Sequence, residues 1–518
     1  MKISIRNVFL FAFLLLVGAI CGYCFRFELG WDFANYHYYN PWAFLNGRVG
    51  YDIAPASINT YFNPLIDIPF YYMVKYLNDY PGVVSALQGM YFGVLLFLIF
   101  KIAELFFTGK YRYLCIFLSL MVCSTGFAVF SQVSTTTNEM QIAVLILWAF
   151  YILLKIFSGN LEKNRYSFLL SGLLLGMAAG FKLTAVIYCI SAFITLLCFR
   201  KNMCRPGLMI FMFCLGGAVG FLLINGFWMW KLWALFQNPL FPFANGIFKS
   251  EYFDDFNYSD KRFLPQTPAE WLFYPFMWAL HMSGQTVAEH LFIDFRFAIG
   301  YVILVLYGGW RLCGKTLDIK SLFLFVYLFS SYVVWLCFFS IMRYALVMEA
   351  LLAIVIVKFV CDVYPKELKW QVLYFPFVAV LLFVLLTSPE HMYLNYREGS
   401  KVVEMESVSV AEDHLILLYG FPTAGVIPRI LSPDSKVRVI GMKQANVSYM
   451  KGSDFTERGK FRKLRDKLIA EYQGKIIIIA RDWGNCFYPI DFDRDEFFKG
   501  FSCRKLNTNL DEHLYICE

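Results

Sequence analysis

The stretch PLIDIPFYYMVKYL, residues 64–77, decides how this chain is threaded. It is apolar, yet it falls short of the roughly 20 residues a spanning helix needs and carries Asp67, Pro69 and Lys75. Counted as a span, it inverts everything after it. Taken instead as a re-entrant or interfacial segment on the outer face, it leaves the charges consistent. Apolar runs long enough to cross with some tilt then fall near 8–25, 83–107, 112–133, 139–157, 167–181, 184–199, 207–231, 297–311, 321–340, 344–360 and 371–387, about eleven in all. Cytoplasmic turns hold Lys110 and Arg112, then Lys155, Lys163 and Arg165, then Arg200, Lys201 and Arg205. Further on come Arg311, Lys315 and Lys320, and finally Lys358, Lys366 and Lys369. Opposite turns such as 134–138 are nearly free of Lys and Arg, which is the positive-inside pattern.

Composition agrees. Of 518 residues, 59% are hydrophobic and 16% charged, where a soluble chain would carry about 25% charged. The net charge of +8 sits in short turns between apolar runs, so topology explains it and nucleic-acid binding is not indicated. Lys2 and Arg6 precede the first run and no A-x-A cleavage pattern follows it, so a retained signal-anchor with a cytoplasmic N-terminus is expected.

The expected architecture is an α-helical polytopic membrane domain over 1–388, with outer loops 28–63 and 235–296, and a small α/β domain over 389–518 outside the membrane. That last region holds the β-like runs HLILLYG, KVRVIGM and KIIIIA, with an amphipathic helix candidate at 455–472. Cys503 and Cys517 lie on two further β-like runs flanking NTNLDE. They either pair in an oxidising compartment or remain two buried thiols. Most of the other cysteines fall in apolar spans, as ordinary small hydrophobes.

Chemistry-bearing residues concentrate outside the spans. The first outer region reads WDFANYHYYNPWAFLNGR, and Asp32 begins it at the membrane surface. Asp32, Asn35 and Tyr39 would share a helical face, joined by Asn40 if the helix passes Pro41. Asp32 is therefore either a proton acceptor for an incoming hydroxyl or a helix N-cap. Asp52 and Asp67 follow among turns and could simply satisfy loop backbone. Lys182 lies in GFKLTA at an outer turn, against the charge rule, as a partner for a lipid-linked phosphate or as a snorkelling lysine. Arg343, in MRYALVMEA, has the same two readings. The loop NPLFPFANGIFKSEYFDDFNYSDKRF mixes Glu251, Asp254, Asp255 and Asp260 with Lys261 and Arg262. It could close over a sugar or be a solvated loop whose charges compensate. His281 and His290 are spaced wrongly for a helical metal pair, and no P-loop or HExxH is present.

The segments WDFANYHYYNPWAFLNGR, NPLIDIPFYY, FKLT, NPLFPFANGIFKS and MRY resemble those of bacterial inner-membrane proteins grouped with the glycosyltransferase C superfamily, whose members use polyprenyl-phosphate sugars. The resemblance covers most of the membrane part, and the outer domain only in general plan. It implies an inverting transfer of a hexose or pentose from a polyprenyl-phosphate donor to an envelope glycan, lipid or protein acceptor. Asp32 would be the catalytic acidic residue, and Lys182, Arg343 and Arg262 would bind the donor phosphate. Asn35, Tyr36, His37, Asp254 and Asp255 would form the substrate cavity. The implied location is a bacterial inner membrane with the C-terminal domain periplasmic or extracellular. Asp32 lacks the adjacent second acid of better-known members, which favours a metal-independent mechanism over one using a divalent metal. The rival class is a transporter or flippase, with Lys182 and Glu104 marking a pathway. A transporter tends to show two related halves, and no internal repeat is visible. A non-catalytic scaffold of the same fold is the third reading.

Overall fold

The computed structural model describes residues 5–25, 29–161, 164–255, 261–279, 287, 292–312, 317–363, 401–442, 459–482, 490, 492 and 496–518. The eleventh apolar run (371–387), Lys163, Asp260, His281, His290, Lys315, Lys366, Lys369 and the start of the 455–472 helix candidate lie outside them. The chain divides into two compact units. One comprises Met1–Phe25, Ser85–Ile224 and Lys261–Leu394, the other Arg26–Val84, Asn225–Asp260 and Asn395–Glu518.

The first unit is helical. Among the described residues, six helices are long and apolar enough to cross a membrane: Ile5–Phe25, Pro81–Phe106, Glu139–Phe157, Pro206–Phe236, Ile319–Phe338 and Met342–Asp362. By length and composition they mark a membrane protein. Four shorter apolar helices, Arg112–Ser124, Arg165–Phe181, Leu183–Cys198 and Arg296–Trp310, coincide with the remaining runs on described residues.

Between helices in lipid there is little hydrophobic gain from association, so close backbone packing must supply the attraction. Two crossings use small residues for this. Gly18 and Gly22 meet Gly89, Gly93 and the Ser85 carbonyl, while Gly172 and Gly176 meet the Phe213 and Gly217 carbonyls. A Cβ at any of these positions would collide with backbone. Gly207, by contrast, has nothing within 4 Å of an added Cβ. Gly176→Leu is expected to cost at least 1–3 kcal/mol, about the range for overpacking. It should abolish the monodisperse size-exclusion peak that Gly207→Leu retains. Equal behaviour of the two variants would refute the crossing's importance.

The 112–133 run is not one helix. It stops at Ser124 and restarts as a single turn, Phe127–Phe130. The break is held by charges from far along the chain. Asp294 Oδ2 accepts the Phe127 N–H at 2.9 Å, and Glu349 accepts those of Ala128 and Val129 at 3.1 and 2.7 Å. The fully buried Arg296 answers them, donating to Asp294 Oδ2 at 2.5 Å, to the Val122 carbonyl and to Thr125 Oγ1. New N–H groups at a buried helix start need acceptors, and these two carboxylates supply them.

In the second unit, five strands form one mixed sheet in the order β2-β1-β3-β5-β4. Strands β1 (His414–Tyr419), β2 (Arg438–Met442) and β3 (Lys475–Arg481) run parallel, with β4 (Cys503–Lys505) and β5 (Leu514–Cys517) antiparallel at one side. All five β-like runs of the sequence are strands, and the helix candidate is Gly459–Glu471. β1 is buried on both faces, as a central parallel strand must be. Ile416 and Leu418 pack with Tyr39 and Trp42, while Leu415 and Leu417 pack with Trp228 and Phe461. Cys503 and Cys517 sit opposite each other across β4 and β5 and are joined by a disulfide.

The segment 64–77 is a 3-10 turn, Leu65–Asp67, followed by the ten-residue helix Ile68–Leu77. At 1.5 Å per residue, such a helix covers about 15 Å, half of a bilayer core. Ile53 extends the sheet, its N–H bonding to the Val439 carbonyl and its carbonyl taking the Gly441 N–H. Arg48 makes a two-pronged bond to Asp52 at 2.7 Å in each arm and donates to the carbonyls of Ser435 and Val437. Asp52 also accepts from Tyr39 Oη at 2.7 Å and from the Val439 N–H at 2.9 Å. Burial pushes the Asp52 carboxyl above its ordinary value, against the pull of Arg48, Tyr39 and Val439. The Tyr39 hydroxyl is pushed well up, first by burial and then by Asp52 beside it.

Candidate functional site

In the first unit, two of the basic residues singled out by sequence come together. Lys182 ends the Arg165–Phe181 helix, and Arg343 lies in the 3-10 turn Met342–Ala345 that leads into the Leu346–Val363 helix. Both reach Glu139, the first residue of Glu139–Phe157: Lys182 Nζ lies 2.6 Å and Arg343 Nε 3.7 Å from its Oε1. Lys182 also donates to the Thr137 carbonyl at 3.0 Å, and both cations lie over the Tyr344 ring. Two basic side chains thus share one carboxylate.

A buried polar strap borders it. Gln132, Ser134, Thr135, Thr136, Thr137 and Asn138 are all buried, and Ser134 and Asn138 hold φ of 64° and 67°. Left-handed backbone at two non-glycine residues so close together stores strain, which tends to gather at working sites. Serine and asparagine are short enough to adopt it, and the Ser134 hydroxyl is anchored on the Ser85 carbonyl at 2.9 Å. Glu139 itself escaped the sequence reading. An acid opening an apolar run looks like ordinary helix-start charge, and its partners are distant in sequence.

Arg262 is half-buried, its guanidinium 5.0 Å from the centre of the Phe263 ring. Glu104, offered by sequence as a pathway charge, is surrounded by Arg6 and Arg112 at 3.0 Å each and by Lys101. Those four charged side chains gather at a helix end.

In the second unit, Asp32 has helical backbone angles (φ −61°, ψ −42°) and makes no capping bond with its side chain. It therefore sits within the first turn rather than capping it, which removes the N-cap reading. The helix widens to a π-turn over Phe33–His37 and continues as Tyr39–Leu45 through Pro41, which stands in the first turn where no N–H is needed. The expected single face over Asp32, Asn35, Tyr39 and Asn40 is consequently not kept. Asp32 is half-buried, whereas Asn35, Tyr36, His37, Tyr39 and Asn40 are buried. His37 Nδ1 pairs with Asp67 Oδ1 at 2.7 Å, and Tyr36 packs its ring on His37 and Phe62. Asp67 is thus a buried partner of histidine. Asp255 meets Lys249 at 3.1 Å on the surface, and the Asp254 carbonyl accepts from Asn245. Among the described residues no group of three or more His, Cys, Asp or Glu could hold a metal ion.

No protein-family model matches the chain, and no curated protein matches it.

Proposed function

We propose that the chain is an integral membrane glycosyltransferase of the glycosyltransferase C type, with about eleven spans and its N-terminus in the cytoplasm. It moves a hexose or pentose from a polyprenyl phosphate to a glycan, lipid or protein acceptor on the non-cytoplasmic face. The observation that carries this reading is the meeting of Lys182 and Arg343 at Glu139, two cations brought together at helix ends beside a strained polar strap. A lipid-linked phosphate keeps its tail in the bilayer and brings its charge to that depth, where desolvated cations attract it strongly. The Arg6, Lys101, Arg112 and Glu104 cluster lies at the other end of the helices, which supports a cytoplasmic assignment for that end. The Cys503–Cys517 disulfide supports an oxidising compartment for the strands that carry it.

In the reaction, Asp32 takes the proton of the acceptor hydroxyl. The acceptor oxygen attacks the anomeric carbon as the bond from that carbon to the phosphate oxygen breaks, with inversion. The polyprenyl phosphate leaves with the bonding electrons, and Lys182, Arg343 and Arg262 stabilise the charge gained there. Lys182→Met and Arg343→Met are each expected to raise KM for the donor roughly tenfold to a hundredfold, the worth of one charged hydrogen bond. The assay follows radiolabel from polyprenyl-phosphate hexoses and pentoses into acceptor. Unchanged donor KM in both variants would sink the phosphate site, and no label transfer from any donor would sink the activity.

A further inference from the structure

We propose that the crevice at the carboxyl ends of β1 and β3 is a binding site for one neutral sugar ring. In the sheet, the chain leaves β1 toward β2 on one side and leaves β3 toward β4 and β5 on the other, and open parallel sheets bind ligands where that reversal opens the edge. A cavity of about 280 Å³ occupies this place. It is lined by Pro422 after β1, Arg481 at the end of β3, Asp511 and His513 before β5, and Trp31 and Ala34 from the first polar region. Ligand pockets run from roughly 300 to 1,000 Å³, so this one suits a single ring and not a nucleotide.

The wall is built to hold that shape. Gly420, with φ of 76°, turns the chain sharply off β1. Gly425 lies so close to the Ala34 backbone that an added Cβ would be 2.5 Å from its carbonyl oxygen, which pins residues 31–34 against the sheet domain. Trp31 stands edge-on to Phe421, ring centres 5.3 Å apart, and keeps 38% of its surface exposed. A partly exposed indole is a platform for the apolar face of a pyranose.

Charge selects against an anion. Arg481 Nε donates to Asp511 Oδ2 at 2.8 Å, with side chains 14% and 11% exposed, so its charge is answered inside the wall. Glu512 adds a further carboxylate to the lining. Among the described lining residues a phosphate meets no surplus positive charge, whereas hydroxyls can donate to the acids and accept from the guanidinium. In the proposed transfer this crevice docks the acceptor glycan. Only that role rests on the transferase reading, and the binding itself does not.

The test uses the full chain in phospholipid nanodiscs, because glycoside detergents would compete. Saturation-transfer NMR is recorded with methyl glucoside, methyl galactoside, methyl mannoside and N-acetylglucosamine, and with inorganic phosphate as competitor. At least one sugar should bind with Kd of about 1 mM, a free energy near −4 kcal/mol. Trp31→Ala should weaken it roughly threefold to tenfold, and phosphate should not displace it. His513→Ala, at the exposed rim, is a second variant should Trp31→Ala fail to fold, and is expected to weaken binding likewise. No sugar signal sensitive to either variant, or displacement by phosphate, overturns the proposal. Lys182→Met should leave sugar binding unchanged, which separates the two sites. Sugar binding without transfer would overturn the transferase and keep the crevice, and transfer without sugar binding would do the reverse.

Discussion

Asp32→Asn lowers kcat for sugar transfer by about 10²–10⁴-fold, the span of general-base catalysis, while donor KM stays within roughly twofold. Asp32 has helical backbone angles that asparagine, nearly identical in shape, also adopts, so the local fold should be preserved. The amide cannot take the acceptor proton at neutral pH. The donor phosphate is assigned to Lys182 and Arg343, so the loss should fall on kcat. The measurement is single-turnover transfer in membranes carrying equal amounts of each variant, judged by immunoblot. Wild-type kcat in Asp32→Asn would remove Asp32 as base, and a tenfold rise in donor KM would move it to donor binding.

The second large effect is on stability. Asp52→Ala leaves Arg48, only 3% exposed, without its carboxylate, and breaking such a buried pair costs about 3–5 kcal/mol. The same change strands the Tyr39 hydroxyl and the Val439 N–H, each of which donates to Asp52. The double variant Arg48→Met, Asp52→Leu removes both charges together and should recover most of the loss, since the penalty lies in the unpaired charge. Thermal unfolding followed by tryptophan fluorescence compares the three proteins. An Asp52→Ala protein within about 1 kcal/mol of wild type would show that water reaches Arg48 and that the pair is not a structural tie.

Much of the framework was legible in the sequence because it is written locally. A strand such as KIIIIAR or a helix such as GKFRKLRDKLIAE carries its own period, and Cys503 and Cys517 stood on two runs joined by turn residues. Lys182 and Arg343 announced themselves by interrupting apolar surroundings. What escaped depended on partners far along the chain. Glu139 meets Lys182 and Arg343 only through the packing of three helices. Ser124, Thr125 and Gly126 mark the break before Phe127 locally, but Asp294, Arg296 and Glu349, which assemble around the restart, come from far along the chain. Arg48 closes the segment WDFANYHYYNPWAFLNGR, and its carbonyl acceptors lie on the approach to β2. The crevice was invisible for the same reason, being lined by residues 29–31, 34, 422, 481 and 509–513.

The bond between Ile53 and β2 has a consequence for biosynthesis. Ile53 leaves the ribosome hundreds of residues before the Val439 and Gly441 that pair with it. Until those residues emerge, the 29–63 region has no sheet edge to join, and Arg48 has no carbonyls at Ser435 and Val437 to fill. The helices between must be inserted while this early segment waits unfinished. Completion of the sheet is therefore a late checkpoint, and a chain stalled before residue 437 would display an unsatisfied arginine and an exposed aromatic cluster, the surface that quality-control proteases and chaperones engage.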